Sequence, residues 1–450
     1  MRREVLLRHP LAIAGALIAT GATVLFIVFI VAALAGLFQN PYAGLLVFIV
    51  LPAALVFGLL LIPIGVRLDR RALRRAQERD PNAVLEWPVI DLRRPRTRRV
   101  WLVITALTAV NVGVLLLAGY GALHWMESPS FCGQVCHTPM HPQFTAWSAG
   151  PHANTPCVAC HIGEGASGFI HAKLAGVRQL AHVVVGSFPR PVPPGADMPP
   201  GAQAATCASC HQQGRLAGDR LRVFREYADD EANTETATPL QIRIGAPSVN
   251  ERAIHWHANP AVRVEYVAAG ERRETIPYVK VTDAQGRTKE YAAPNASTDG
   301  VAKGERRTMD CIDCHNTVGH PMAASAERAI DRAIAAGRID RQLPFVRREG
   351  VRLLKASYGS DDEASRAIDA GVRSFFGGRG EIDARALARS VSALQEAYRR
   401  NVFPAMKVAW GAYPSHLGHM TSTGCFRCHD GEHAAADGSV ISGDCEYCHK

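Results

Sequence analysis

Residues 101–137 read WLVITALTAVNVGVLLLAGYGALHWMESPSFCGQVCH, and this stretch decides the architecture. Trp101 to Leu123 is a run of 23 residues without a charge, long enough to cross about 30 Å of hydrocarbon at about 1.5 Å per helical residue. Only nine residues later Cys132 opens a paired-cysteine motif that closes on Cys136 and His137. A membrane span thus leads directly into a cysteine–histidine site.

Working outward, all 12 cysteines of the 450 residues fall into close pairs. Five pairs have two residues between the cysteines and a following histidine: Cys157/Cys160/His161, Cys207/Cys210/His211, Cys311/Cys314/His315, Cys425/Cys428/His429 and Cys445/Cys448/His449. The pair Cys132/Cys136 is one residue longer but is also followed at once by its histidine, His137. An exported disulfide framework or a set of zinc sites would account for paired cysteines. Neither accounts for the histidine. With 18 His in 450 residues a chance match is about a 4% event, and six together are negligible. C-x-x-C-H is the attachment signature of c-type haem, with the two thiols bonded to the porphyrin and the adjacent imidazole placed to ligate the iron. The chain is therefore expected to carry six covalent haems c.

Two further apolar runs precede the third, Leu11–Phe38 of 28 residues and Tyr42–Val66 of 25. The first is too long for the apolar region of a signal peptide and is expected to be retained. Pro52 and Pro63 predict a kink in the second, which membrane helices tolerate. Residues 67–99 hold eleven Arg against five acids, and Arg2, Arg3 and Arg8 precede the first run, whereas the Gln39-Asn40-Pro41 link is uncharged. The positive-inside rule then puts the N-terminus and residues 67–99 in the cytoplasm and everything after Leu123 outside. Haem c is attached on that same outer side. The formal net charge is +9. Residues 67–99 supply +6 of it and residues 1–66 supply +2, which leaves about +1 for the remaining 351 residues. So the basic balance is a topology determinant lying against anionic lipid, and no nucleic-acid partner is expected. Haem propionates would make the exported part acidic, which suits a basic redox partner.

The expected fold class is mainly α: three transmembrane helices and a periplasmic multihaem domain with a small antiparallel β insertion. The domain reading is 1–99, a membrane hairpin and Arg-rich segment; 100–215, the third span with three haem sites; 216–300, the β insertion; 301–405, the fourth haem site and a helical spacer; and 406–450, the last two haem sites. Residues 186–201 read as an extended proline-rich linker. Alternation in Val262–Val267, Thr275–Val281 and Arg287–Tyr291, with turn residues at Gly270 and Gly286, predicts a meander. Residues 324–400 predict a spacer of two or three helices broken at Gly377-Gly378.

Low-spin haems take two protein ligands. Outside the motifs, either His255 or His257 is expected to supply one, since two histidines at spacing two point apart in a strand. His320, five residues after His315, is a further candidate, and His419 and His433 flank the fifth motif, with His416 as alternate. His182 reads equally as ligand or structural residue.

The stretch from Cys136-His137-Thr-Pro-Met140 through Ser148-Ala-Gly-Pro-His152, Cys157–His161 and His171-Ala-Lys173 resembles the NapC/NirT family of membrane-anchored quinol dehydrogenases. That likeness covers roughly residues 100–215. Over its whole length the chain is similar to the longer ImcH-type inner-membrane cytochromes, through Gly218–Phe224, Ile254-His-Trp-His257, Met309–His315 and Gly424–Asp430. The family's usual first motif has two residues between its cysteines and a Met two after the His, whereas both counts are three here. The resemblance implies a multi-pass protein of the bacterial cytoplasmic membrane, fed by the membrane quinol pool and handing electrons to a periplasmic c-type cytochrome or other redox acceptor. It implies His152 and His171 as iron ligands, and a quinol site beside the first haem involving Met140 and Lys173, with Gln143, His141 and Glu164 nearby. Met140 or a weakly held His is the expected axial ligand of that first haem. Two other functions compete: a passive electron conduit or subunit without its own quinol site, and a terminal multihaem reductase. The number of spare histidines argues against the open iron site a reductase needs.

Overall fold

The computed structural model describes residues 9–34, 46–79, 93–162, 165–194, 202–211, 218–245, 253–380 and 382–450. Arg2, Arg3, Arg8, the Gln39–Pro41 link, residues 80–92 of the Arg-rich segment, Glu164 and residues 195–201 of the proline-rich linker lie outside the described residues. Two compact units result, Met1–Val135 and Cys136–Lys450.

The first unit holds helices α1 (Pro10–Leu34), α2 (Leu51–Arg79) and α3 (Pro95–Met126). Each contains a stretch long and apolar enough to cross a membrane: Pro10–Ala32, Leu46–Ala72 and Thr97–Met126. A π turn, Leu46–Val50, runs straight into α2. Pro52, at the helix's second position, has no N–H to return to Phe48, which suits the wider turn there, while Pro63 lies inside the helix. Small residues let α1 and α2 touch through their backbones. A Cβ at Gly58 would stand 2.7 Å from both the Ala19 nitrogen and the Gly15 carbonyl oxygen, and one at Gly65 would stand 2.6 Å from the Ala12 nitrogen. Thr23 of α1 donates to the Asn111 side chain of α3 at 3.0 Å, a polar tie in an apolar bundle.

The second unit begins with α4 (His137–Ser148), α5 (Val158–His161), α6 (Gly165–Val184) and α7 (Ala202–Cys210). A hairpin follows, β1 (Arg220–Tyr227) paired antiparallel with β2 (Glu235–Ile242). The second sheet has strands β3 (Arg263–Ala269), β4 (Thr275–Thr282), β5 (Thr288–Ala292) and β6 (Glu305–Thr308), in the antiparallel order β5-β4-β3-β6. Between β5 and β6 lies the short helix α8 (Thr298–Lys303). Gly270 and Gly286 turn the meander at φ +73° and +77°, a backbone region glycine enters freely. Helix α9 (Cys311–Cys314) is the fourth cysteine motif itself, capped by Asp310 and Asp313 in a capping box.

Four helices, not two or three, fill the spacer: α10 (Ala326–Ala335), α11 (Val346–Leu354), α12 (Asp361–Phe376) and α13 (Ala384–Arg399). The extra count comes from short helices, the first ended at Gly337 and others started by caps, Ser325, Ser360 and Asp383 each accepting a backbone N–H. Their apolar faces form a core of their own around Ile330, Leu354, Ile368, Leu394 and Tyr398. Tyr227 from β1 packs into it, and Asn233, fully buried, ties the hairpin turn to the carbonyl oxygens of Arg341 and Leu343 at 2.9 Å.

Candidate electron-transfer site

No two cysteines are joined in a disulfide among the described residues. Each of the last five motifs sits on a single helical turn, α5, the end of α7, α9 and the 3-10 turns Gly424–Arg427 and Cys445–Tyr447. One turn is the economical backbone for the chemistry, because two cysteines three residues apart project to one side and the next residue turns its ring over them.

The histidine rings meet in pairs across these turns. His161 of the second motif faces His320 with ring centres 5.9 Å apart and planes at 18°. His211 of the third faces His152 at 6.1 Å and 73°, His429 of the fifth faces His257 at 5.8 Å and 87°, and His449 of the sixth faces His419 at 6.3 Å and 40°. A metal sits about 2.0–2.1 Å from an imidazole nitrogen and that nitrogen about 1.1 Å from its ring centre, so two imidazoles sharing one ion stand about 6.3 Å apart. The observed 5.8–6.3 Å separations fit that figure. Second contacts orient the rings. The Nδ1 atoms of His152, His257 and His429 lie 3.3, 2.8 and 2.9 Å from the carbonyl oxygens of Val318, Ile254 and Ser442, which leaves each Nε2 free to coordinate. Burial lowers the basicity of His161 and His257, and takes His320 to about 4 with help from neighbouring His161, so these rings are neutral as ligands must be. The donor set fits haem.

His255 and His257 lie on a 3-10 turn, Ile254–Ala258, not on a strand. At three residues per turn, residues two apart still diverge, so each reaches a different motif. His257 faces His429, whereas His255 lies within electrostatic reach of His315, whose basicity falls through burial first and then through His255 and His211. His419 faces the sixth motif, not the fifth. His433 is buried, with Nδ1 at 2.9 Å from Asp430 and Nε2 at 2.7 Å from the Ile276 carbonyl oxygen. His416 is likewise buried, with Nε2 at 3.1 Å from the Arg272 carbonyl oxygen. His182 bonds to Ser187, and His171 is exposed on α6.

Neighbouring motifs adjoin in chain order. Cys160 of the second is in electrostatic reach of Cys210 of the third, and Cys207 of the third is in reach of Cys311 of the fourth. Cys314 of the fourth reaches Cys425 of the fifth, which in turn reaches Cys448 of the sixth. Sequence reasoning missed the residues between the cysteines. Asp313, buried, accepts from Tyr266 at 2.5 Å, from Arg307 at 2.9 Å and from the Asp310 N–H at 2.8 Å, fastening the fourth motif to the sheet. Burial, then the Asp313 carboxylate, raises the Tyr266 phenol so that it stays a donor.

The first motif is divided, Cys132 in one compact unit and Cys136 at the start of the other. The stretched spacing forms a π turn, Phe131–Val135. The side chain of His137 lies outside the described residues, but α4 puts positions 137 and 140 one turn apart on one helix face. Of the other expected quinol-site groups, Gln143 donates to the Tyr413 hydroxyl at 3.1 Å and His141 packs edge-on against Phe403. Lys173 lies 5.0 Å from the Phe169 ring centre.

The chain is 36% identical over 451 aligned positions, 98% of its length and 87% of the relative's, to the cytochrome c-type protein ImcH of Geobacter sulfurreducens. The chain belongs to the ImcH family of c-type cytochromes. A 46-residue segment, 10% of the chain, is also 48% identical to 19% of the cytochrome c-type protein Cgr1 of Eggerthella lenta. No protein-family model and no solved structure matches. ImcH-family membership, the paired rings and the three apolar helices together make this a membrane-bound, multihaem electron-transfer protein.

Proposed function

We propose that this protein is a quinol dehydrogenase of the bacterial cytoplasmic membrane. In this reading it takes electrons from menaquinol and passes them through six haems c to a periplasmic c-type cytochrome or other acceptor. The observation that carries the reading is the series of motifs two to six, each adjoining the next, together with a first motif that begins in sequence six residues after the last residue of a span-length helix, Met126. Haem, when bound, supplies a one-electron couple at each motif, which suits a two-electron quinol donor feeding one-electron acceptors.

The chain's own residues do the rest. His161/His320, His211/His152, His315/His255, His429/His257 and His449/His419 hold five sites from both sides, a ligation that favours low potentials. At the first site Met140 or a weakly held His is the axial ligand, and thioether or incomplete ligation raises its potential relative to the others, making it the entry point. Lys173 serves the quinol headgroup. The arginines of residues 67–99 fix the cytoplasmic side, which puts the haem-bearing unit in the periplasm.

Purified protein mixed with a menaquinol analogue, with reduction followed by absorbance, tests the reading. Reduction should occur without another protein and slow in Met140→Ala. An unreduced protein that accepts electrons only from a soluble donor would make it a passive conduit.

A further inference from the structure

Arg427 lies between the two cysteines of the fifth motif, yet it is buried, with 8% of its surface exposed. Its guanidinium donates three hydrogen bonds, all to backbone carbonyl oxygens: Nε to Gly424 at 2.9 Å, Nη1 to Arg273 at 3.0 Å and Nη2 to Asp313 at 2.9 Å. Asp313 belongs to the fourth motif, so the guanidinium bridges the fourth and fifth cysteine loops. No carboxylate pairs with it among the described residues, and the carboxylate of Asp313 is already taken by Arg307 and Tyr266. Cys314 of the fourth motif and Cys425 and Cys428 of the fifth all lie within its electrostatic reach.

A buried, unpaired cation is expensive to hold. Three carbonyl dipoles lower that cost without cancelling the charge. A centre beside it that gains an electron loses one unit of positive charge, and in a poorly screened interior that change is favoured by a neighbouring cation. We infer that Arg427 is a fixed positive charge that raises the reduction potentials of the fourth and fifth haem sites together. No bond forms or breaks and no proton moves: each site takes up one electron, and the guanidinium stabilises the more negative product. Its place between the two loops makes it a positioning residue of the electron path rather than a ligand. Because it raises two adjacent sites together, it leaves the step between them unchanged. The inference rests on the reading that haem occupies both motifs.

The full-length protein in lipid nanodiscs, its haem load first verified by intact mass, is titrated by spectroelectrochemistry alongside Arg427→Gln and Arg427→Lys. A wild-type mass lacking haem at the fourth or fifth motif would defeat the occupancy reading before the charge is tested. Arg427→Gln at full load should lower the midpoints of two sites about tenfold in reduction equilibrium, which is 59 mV for one electron. Arg427→Lys, which keeps the charge, should restore most of that shift. Unchanged or raised midpoints in Arg427→Gln overturn the inference, as does a lysine variant displaced as far as the glutamine one. If Arg427→Gln alone fails to load, wild-type midpoints in the lysine variant support it and lowered ones defeat it. Loss of haem in both variants would make Arg427 a structural staple only, which also overturns it.

Discussion

Replacing His320 by alanine takes one ring from the pair it forms with His161, whose centres are 5.9 Å apart. The methyl left behind has no nitrogen to offer, and neither His416 nor His433 can substitute, because the ring nitrogens that would bind are held by the Arg272 and Ile276 carbonyl oxygens. One of the five bis-histidine sites should therefore become five-coordinate, so about one-fifth of the bis-histidine low-spin signal should convert to high-spin in the oxidised protein. The ring angles sharpen the expectation. Planes at 18° split the two iron orbitals that overlap them, whereas planes at 87°, as at His257/His429, leave those orbitals nearly equal. Electron paramagnetic resonance separates the two cases. His320→Ala should remove a component with moderate anisotropy, and His257→Ala one with a much larger principal g value. If His320→Ala keeps every low-spin component, or both substitutions erase the same one, the ligand pairing drawn from the ring geometry is wrong.

Intact mass of the denatured protein should exceed the polypeptide by six haem masses, and a gain of five with free Cys132 and Cys136 would exclude haem from the stretched motif. Asp313→Ala strands Tyr266, Arg307 and the Asp310 N–H, and should cost about 3–5 kcal/mol, against about 1–2 kcal/mol for Tyr266→Phe, both read from thermal unfolding of the haem-loaded protein. Burial disfavours the charged form of Glu349, but hydrogen bonds from Arg352 and Arg348 outweigh it and hold its pKa below the ordinary carboxylate value. Its stabilisation is thus full above about pH 4.3 and fades as pH falls through the depressed pKa, so Glu349→Gln should cost about 1 kcal/mol of stability at neutral pH, read as a lower melting temperature, and match wild type in acid. Gly58→Leu forces a side chain into the Ala19 and Gly15 backbones and should lower the thermal stability of the detergent-solubilised protein, while Gly113→Leu, with open space around its Cβ, should not.

Covalent attachment was legible in the sequence because it is local: two thiols and an imidazole must share one turn, so their spacing is fixed. The apolar spans and the meander were legible for a similar reason, each being written as a run or an alternation. Distal ligands obey no such rule. His257 meets His429 across a separation of 172 positions and His320 meets His161 across 159, so only the fold brings them together. His433 illustrates the converse. It stands four residues from a motif histidine, yet Asp430, placed three residues before it, captures its Nδ1 and turns the ring into the sheet. Asp313 and Arg427 looked like filler between cysteines, and nothing in their spacing reveals that both are buried.

The same distances bear on how the electron path is kept in order. Motifs two to six adjoin in the sequence of the chain, and the fourth and fifth loops are fastened by Arg427 to each other and by Asp313 and Arg307 to the sheet. The ring pairs run across this order: His152 reaches forward to the third motif, His320 back to the second, and His257 forward to the fifth. Each haem so held would close a loop between distant segments, as a metal clip does, and loop closure stabilises a fold in which the motifs themselves contribute few buried apolar side chains. The four-helix module from Ala326 to Arg399 differs, since its core is built from Ile330, Leu354, Ile368 and Leu394 and includes no motif cysteine. Its apolar packing supplies a rigid base between the fourth and fifth motifs in sequence. With haem bound as proposed, the loops on either side of it would draw their order from ligands that cross from one motif to another, so the geometry that conducts electrons would also be the geometry that holds this part of the chain together.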